Sequence, residues 1–358
     1  RQVALTQVPE PAFRVQGTAA SPMDAVDEGF LAVVQANPHL RPRVGNPDEM
    51  KSNRLVKTLE ALKFRVTAPE RGIPEDVHGA VVTALNEEAV AAAALGNKGG
   101  INLICTYEAF GVKMLGLVRQ EVIFAKHLAE HGRPPGWLSV PLVLTSHTWE
   151  NGKNEQSHQD PTMAEALLGE ASDVSRVVFP ADYNSAASVM SHLYRTHGQI
   201  WTIVSAKSAA LPVAFNRDRA EQAMYDGGVA LGAQPEGVKP RVLLVAVGAY
   251  QLQQAQQAAR RLTDRGVPTQ VSYLLEPGRF RAPRSEAEAA HLAPRPVIDQ
   301  LFPAAAEAVV LLTHTRPEPI AGLLAPRTAG RPVAALGYVN QGGTLDADGL
   351  SRSDASSV

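Results

Sequence analysis

Cysteine is nearly absent. Cys105 stands alone in 358 residues, so neither a disulfide framework nor a thiolate metal site can form within one chain. No apolar run approaches the roughly 20 residues that a membrane-spanning helix requires, so no membrane association is expected. No block of Lys or Arg supplies the clustered charge that nucleic-acid affinity needs, and 34 basic against 36 acidic residues leave a formal charge of -2; nucleic acid is excluded as a partner. Also missing are HExxH, a His and carboxylate pair at metal spacing, the G-x-S-x-G elbow and the G-x-x-x-x-G-K-[ST] phosphate loop. "GNKGG" at 96–100 lacks the spacing and the closing Ser or Thr of the last. Zinc and nucleotide chemistry are thereby set aside. The opening stretch "RQVALTQVPEPAFRVQG" has no initiating Met and no basic start followed by an apolar core. The expectation is a sequence that begins part-way along a longer product, without a signal peptide, working in a reducing cytoplasm.

What is present describes a soluble globular protein, with 45% apolar and 20% charged residues, and the length suffices for two domains that each bury a core. Residues 1–45 carry Pro at 9, 11, 22, 38 and 42 and read as a linker arm with one short helix around "MDAVDEGFLAVVQ". From residue 46 apolar runs alternate with helical stretches. "INLICT" (101–106), "LSVPLVLT" (138–145), "SRVVFP" (175–180) and "IWTIVSA" (200–206) read as strands buried on both faces, separated by helices over "YEAFGVKMLGLVRQEVIFAKHLAEH" and "NSAASVMSHLYRTHG". That order implies a parallel sheet covered on both sides. The connector "YDGGVALGAQPEGVKP" leads to a smaller α/β unit whose strands are "RVLLVAVG", "TQVSYLL", "AVVLLTHT" and "RPVAALGY", ending in a polar tail expected to fray. The fold class expected is α/β, as two consecutive doubly wound, mostly parallel sheet domains: 46–230 and 238–350, after the arm 1–45.

One loop is unusually dense in chemistry. "TSHTWENGKNEQSHQDP", residues 145–161, follows a buried strand directly. In open parallel sheets the ligand crevice lies beyond the carboxyl ends of the strands, so this loop stands where such a sheet binds its ligand. Lys207, in "VSAKSAA", leaves another strand at the same edge.

Residue identity sharpens the reading. "NPDEMKSNRL" at 46–55, "TYEAF" at 106–110, the loop "SHTWENGKNEQSHQDP" at 146–161 and "GYVNQGGT" at 337–344, in this order, together resemble the phosphoketolases, thiamine-diphosphate enzymes of the transketolase group. The resemblance runs from about residue 40 onward and covers only the second half of such an enzyme, its pyrimidine-binding and C-terminal domains. It implies an aldehyde-lyase that cleaves xylulose 5-phosphate or fructose 6-phosphate with inorganic phosphate to give acetyl phosphate. The family holds the diphosphate through Mg2+ bound by a GDG motif and a later Asn. This chain has no GDG; "DADGL" near the C-terminus lacks the leading strand and the Asn. The resemblance therefore implies that the missing half, or a partner chain, carries the metal and diphosphate, in a homo- or hetero-oligomer.

Residue by residue, "LNEE" at 85–88 occupies the place of the family's Leu-Ser-Glu, which makes Glu87 the candidate carboxylate beside the aminopyrimidine ring, with Glu88 the register-shifted alternative. Read on their own, the two are ordinary solvated helix carboxylates. Phe110 would stack on the pyrimidine and Tyr107 would reach the reacting carbonyl, although an aromatic pair at i and i+3 also packs cores. Glu108, between them, is expected to point elsewhere. His158 of "SHQDP" is suited to binding phosphate oxygen and passing protons, while Asn154 matches a substrate-binding Asn and Asn151 stands where many members have Gln. His147 either faces the site or caps the turn. Ser52, Arg54 and Lys207 complete the pattern, the two cations as phosphate ligands or as plain surface residues. "NQGGT" receives no catalytic role. Two further readings stay open: a thiamine-independent sugar-phosphate epimerase or isomerase built on His158, Glu87 and Lys207, and a noncatalytic phosphoketolase-like subunit.

Overall fold

In the computed structural model, which describes residues 2–154, 156–232 and 238–340, two sheets follow one another along the chain. The first comprises β1 (Pro42–Gly45), β2 (Phe64–Arg65), β3 (Glu75–Asp76), β4 (Val81–Val82), β5 (Ile101–Tyr107), β6 (Val140–Thr145), β7 (Ser175–Val178) and β8 (Ile200–Val204). Its order is β3-β2-β4-β1-β5-β6-β8-β7, with parallel pairing throughout. The helices of this unit are α1 (Pro22–Ala36), α2 (Val56–Leu62), α3 (Glu87–Leu95), α4 (Glu108–Gly111), α5 (Leu115–Glu130), α6 (Thr162–Leu168), α7 (Tyr183–Leu193) and α8 (Arg217–Asp226). The second sheet, in order β13-β12-β10-β11-β9, contains β9 (Gly228–Leu231), β10 (Val242–Val247), β11 (Thr269–Leu274), β12 (Ala308–Thr313) and β13 (Val333–Leu336), with β9 alone antiparallel. Its helices are α9 (Ala249–Asp264), α10 (Glu286–His291), α11 (Arg295–Leu301) and α12 (Pro317–Thr328). The chain is α/β with two doubly wound, mostly parallel sheets. No helix among the described residues is long and apolar enough to cross a membrane.

The arm expected at 1–45 is corrected by this topology. Ser21 caps α1 by accepting the Met23 amide, with Pro22 in the first turn. Met23, Val26, Phe30 and Val33 then recur at helical spacing and are all buried, so the helix packs into the core with α7 instead of spanning solvent. Asp27, buried on the same helix, accepts the Lys57 and Thr58 amides at 2.9 Å each and so caps α2, whose own first residue gives no side-chain cap. Residues 42–45 form an inner strand between β4 and β5. A four-residue strand that begins with Pro reads as a turn, because it is too short to show alternation. Gly45 is required there: a Cβ would lie 2.3 Å from the Val90 carbonyl oxygen on α3.

The connector expected after residue 224 also differs. Gly227, at φ 82°, ends α8 in the left-handed conformation, and Gly228–Leu231 pairs with β11 as an edge strand of the second sheet. Residues 233–237, the "QGGT" end of the last motif and the C-terminal tail lie outside the described residues.

The two sheets share their cores. Trp201 and Phe215 cluster with Leu244 and Tyr273, and Phe179 with Leu274. Polar ties reinforce the junction: the Phe179 amide donates to the Leu275 carbonyl at 2.8 Å, and Arg176 forks onto Glu276 at 2.8 and 2.5 Å with both groups buried. Burial pushes the Glu276 carboxyl upward, but the Arg176 charge and hydrogen bonds more than offset this and hold it at about 2.

Candidate active site

The carboxyl ends of four strands of the first sheet deliver the site. β1 runs into the turn 46–54, where Asn46 accepts the Glu49 amide at 2.8 Å and donates to the Cys105 carbonyl at 2.8 Å, locking the turn against β5. β5 ends at Tyr107, whose hydroxyl is 2.9 Å from Ser52 Oγ. β6 leads into the loop 145–161 and β8 into Lys207. Glu87 arrives on the first turn of α3, behind an Asn86 cap that accepts the Ala89 amide.

From these elements a continuous run of side chains forms. Tyr107 and Phe110 stack with ring centroids 6.1 Å apart and nearly parallel planes. His158 sets its ring edge to Phe110 at 5.2 Å and lies 6.2 Å from Tyr107; Ser157 Oγ is 2.9 Å from its Nδ1, and Nε2 has no protein partner among the described residues. The Lys207 ammonium sits 4.9 Å from the centre of the Tyr107 ring. On the other side Lys113 bridges Phe110 and Glu87, its Nζ 4.8 Å from the ring centre and 3.0 Å from Glu87 Oε1. Glu87 is buried at 8% exposure and Glu88 is exposed, so the register in which Glu87 faces inward is the one adopted. The sequence pattern therefore leads to one neighbourhood holding Glu87, Phe110, Tyr107, Ser52, His158 and Lys207.

Three expected ligands have their side chains engaged with other protein groups. Arg54, at a left-handed φ of 62°, turns its guanidinium onto Asp24 of α1 with two bonds of 2.9 Å. Its fork is thus committed to a carboxylate, because α1 packs where an open arm had been expected. Asn151 is buried and donates to Ser146, both to the carbonyl and, at 3.2 Å, to Oγ. Asn154 donates to the Asn151 side chain at 2.9 Å. Asn151 shapes the loop from inside, with the exposed Asn154 fastened onto it, along a chain of short helical turns at 148–150, 152–154 and 156–158.

His147 neither faces the site nor caps the turn. Fully buried, it lies 4.7 Å from the ring of His314 and 5.8 Å from that of Tyr250, with Nδ1 unpartnered. Burial holds it below the ordinary imidazole range.

Glu108 points away from Tyr107 and Phe110, as their spacing requires. Its Oε1 accepts from His314 Nε2 at 2.7 Å and its Oε2 from the Thr148 amide at 2.8 Å. Burial pushes this carboxyl up, yet the charge and hydrogen bond of His314 outweigh burial and hold it below the usual range. Beside it Trp149 donates to the His314 carbonyl at 2.8 Å. Glu150 accepts the amides of Lys207 and Ser208 and the Tyr250 hydroxyl at 3.0 Å. The second domain thus grips the loop directly, and Lys207 only through Glu150.

Glu49 escaped the sequence reading. It adjoins Asp48, Glu87 and Lys207; burial first, then the Asp48 charge, push its carboxyl up to about 7, and its buried Oε2 has no partner. A carboxyl with that poise is a candidate proton carrier. Only its place between "NPD" and "SNRL" could have pointed to it.

As a test of fit, thiamine diphosphate divides in two. An aromatic face beside a buried carboxylate suits the ring end, with Lys113 standing between them. The tail does not fit: among the described residues no group of three or more His, Cys, Asp or Glu could hold a metal ion.

A sequence model of D-xylulose 5-phosphate/D-fructose 6-phosphate phosphoketolase matches residues 24–196. Over that span the chain is similar to the phosphoketolase family. Relatives include a probable phosphoketolase of Streptomyces avermitilis, 30% identical over 63% of this chain and 29% of its own length. One from Mycobacterium avium is 34% identical over 51% of this chain and 23% of its own. The chain thus spans under a third of the phosphoketolases it matches. Among solved structures, transketolase from Leishmania mexicana aligns at TM-score 0.68 and 16% identity, over 96% of this chain and 45% of that one. A split gene transketolase, described as an inactive beta4 tetramer, aligns at TM-score 0.63 and 15% identity over 94% of both chains. These structural similarities, at so low an identity, show a shared fold and no more.

Proposed function

We propose that this chain is the pyrimidine-side half of a thiamine-diphosphate-dependent, phosphoketolase-like aldehyde-lyase, acting on a ketose phosphate such as xylulose 5-phosphate or fructose 6-phosphate with inorganic phosphate to form acetyl phosphate. The reading rests on one observation: Glu87, Lys113, Phe110, His158, Tyr107 and Lys207 adjoin in sequence at the strand ends, while no metal-holding group accompanies them among the described residues. When bound, the cofactor supplies an electron sink for negative charge on the carbon beside the cleaved bond. Glu87 would hold a proton at a nitrogen of its pyrimidine ring, and Phe110 would offer the ring a flat face. Tyr107 and Ser52, whose hydroxyls already meet, would bind sugar hydroxyls. His158 Nε2 would exchange a proton with a substrate oxygen, and Lys207 would neutralise phosphate as a point charge.

The diphosphate and its metal belong, on this reading, to another polypeptide bearing a GDG motif. The split gene transketolase, matched along nearly its whole length, is a precedent for a fold divided at this place. A cytoplasmic hetero-oligomer follows. Co-expression with a GDG-bearing protein should yield a complex that retains thiamine diphosphate and forms acetyl phosphate, whereas turnover by the lone chain would overturn the proposal.

One observation favours a second reading. Lys113 occupies the interval between Glu87 and Phe110, which suits proton-transfer chemistry without thiamine, such as sugar-phosphate isomerisation. Release of carbon-bound label from a ketose phosphate by the purified chain, with no cofactor added, would select it.

A further inference from the structure

At the opposite end of the first sheet's strands, near the amino ends of β7 and β8, an open cavity of about 300 Å³ lies between the two domains. Its walls include Arg176, Arg195, Arg279, His192, His291 and Tyr225, and among the described residues no carboxylate lines it. One acid, Glu276, lies against it and is shared by Arg176 and His291. Three guanidinium charges thus stand beside one carboxylate, which only Arg176 among them bonds. The next acids, Glu221 and Asp226, are felt only as weaker influences, on His192 and Arg279 respectively.

The donor inventory shows what remains free. Arg176 spends Nε and Nη2 on Glu276, and its guanidinium lies flat over Trp201 at 3.8 Å. Arg279 spends Nε on the His291 carbonyl and Nη1 on that of Tyr225. Arg195 spends only Nε, on the Ser191 carbonyl at 3.0 Å. One Nη of Arg176, one of Arg279 and both of Arg195 therefore have no acceptor among the described residues. Arg176 and Arg279 are each held by two fixed bonds, so their entropic loss on binding an acceptor is small, while the exposed Arg195 is held by one. Burial lowers Arg279 from its ordinary value; Glu276 pulls the other way, and the like charge of Arg176 lowers it again. A site with excess positive charge and preset forks is complementary to a tetrahedral oxyanion.

We infer that this cavity is a binding site for a small phosphomonoester, distinct from the strand-end site that carries Lys207. Its volume exceeds that of a phosphate group alone, and the exposed Tyr225 ring, edge-on to His192 at 4.8 Å, walls the remainder. The inference does not depend on thiamine chemistry.

The test is calorimetric titration of the whole chain with inorganic phosphate and with glycerol 3-phosphate at low ionic strength, in the wild type, Lys207→Ala and Arg195→Glu. Arg195 is exposed and makes one backbone contact, so its replacement should leave the fold intact, which circular dichroism checks. Saturable binding that persists in Lys207→Ala and weakens about tenfold or more in Arg195→Glu is expected, with glycerol 3-phosphate the tighter ligand. Binding lost in Lys207→Ala but untouched by Arg195→Glu would overturn the site, as would no saturable binding at all. Preference for inorganic phosphate would overturn the assignment to a phosphomonoester. Failure of the proposed lyase activity would leave all these outcomes unchanged.

Discussion

Glu87 and Glu108 are both buried carboxylates at the first position of a helix, yet their surroundings are opposite in kind. Around Glu87 the partners are long and partly exposed: Lys113, at 57% side-chain exposure, is the cation that meets it, and the neighbouring rings leave His158 Nε2 open. Around Glu108 everything is sealed, with His314 and the Thr148 amide filling both oxygens and the buried His147 close by. The difference teaches where each carboxylate's free energy goes. Glu108 spends its charge on joining two domains, whereas Glu87 keeps a charge that a ligand can compete for.

Substitutions should separate the two regions. Glu87→Gln is expected to lower turnover of the reconstituted enzyme by about 100- to 10,000-fold while changing unfolding free energy by under about 1 kcal/mol, since the pair it loses is mostly exposed on the lysine side. Steady-state kinetics and urea unfolding check the two halves. Glu108→Ala should do the reverse, destabilising by roughly 3–5 kcal/mol because His314 and the Thr148 amide are left buried and unpaired; an unfolding midpoint equal to the wild type's would erase the contrast.

The pH dependence of stability sharpens the comparison, because acids of the two regions are shifted in opposite directions. Glu276 at the junction is held near 2, below its ordinary 4.5, so its contribution is present above pH 4.5 and disappears as pH falls toward 2, by roughly 3 kcal/mol. Glu49 at the site is raised to about 7, so its contribution is full below pH 4.5 and is lost as pH rises through 7. Unfolding free energies of Glu276→Gln and Glu49→Gln, followed from pH 3 to 8 against the wild type, should diverge in those two windows and with those two signs. Smallest of all, Arg54→Ala should change stability by about 1 kcal/mol or less, as befits a partly exposed pair with Asp24, and should leave the KM for a phosphorylated sugar within about twofold. A tenfold rise in KM would return Arg54 to the site.

Much of this was legible in the residues. Long apolar runs bounded by polar loops marked the inner strands, since a strand buried on both faces has to be apolar throughout, and the loop after "VPLVLT" declared the strand end that carries the site. The motif residues Glu87, Tyr107, Phe110, His158 and Lys207 do adjoin. Short elements were not legible: "PRVG" and "GVAL" are too brief to show a period, and α1 was seen as a helix while its burial, which depends on distant α7, was not. Partners chosen across domains stayed hidden for the same reason. Nothing local distinguishes an Arg54 that grips Asp24 from one that grips phosphate, or a His147 packed on His314 from one facing a ligand.

The proposed function requires that this chain supply the ring side of a shared thiamine site. Calorimetric titration of thiamine diphosphate with Mg2+ tests that directly, using the chain alone, its complex with a GDG-bearing protein, and the same complex carrying Phe110→Ala. Saturable binding in the complex, none with the chain alone, and an affinity at least about tenfold weaker in the variant, as removal of a stacking ring implies, is the predicted result. Equal affinity with and without Phe110, or tight binding by the chain alone, would contradict it.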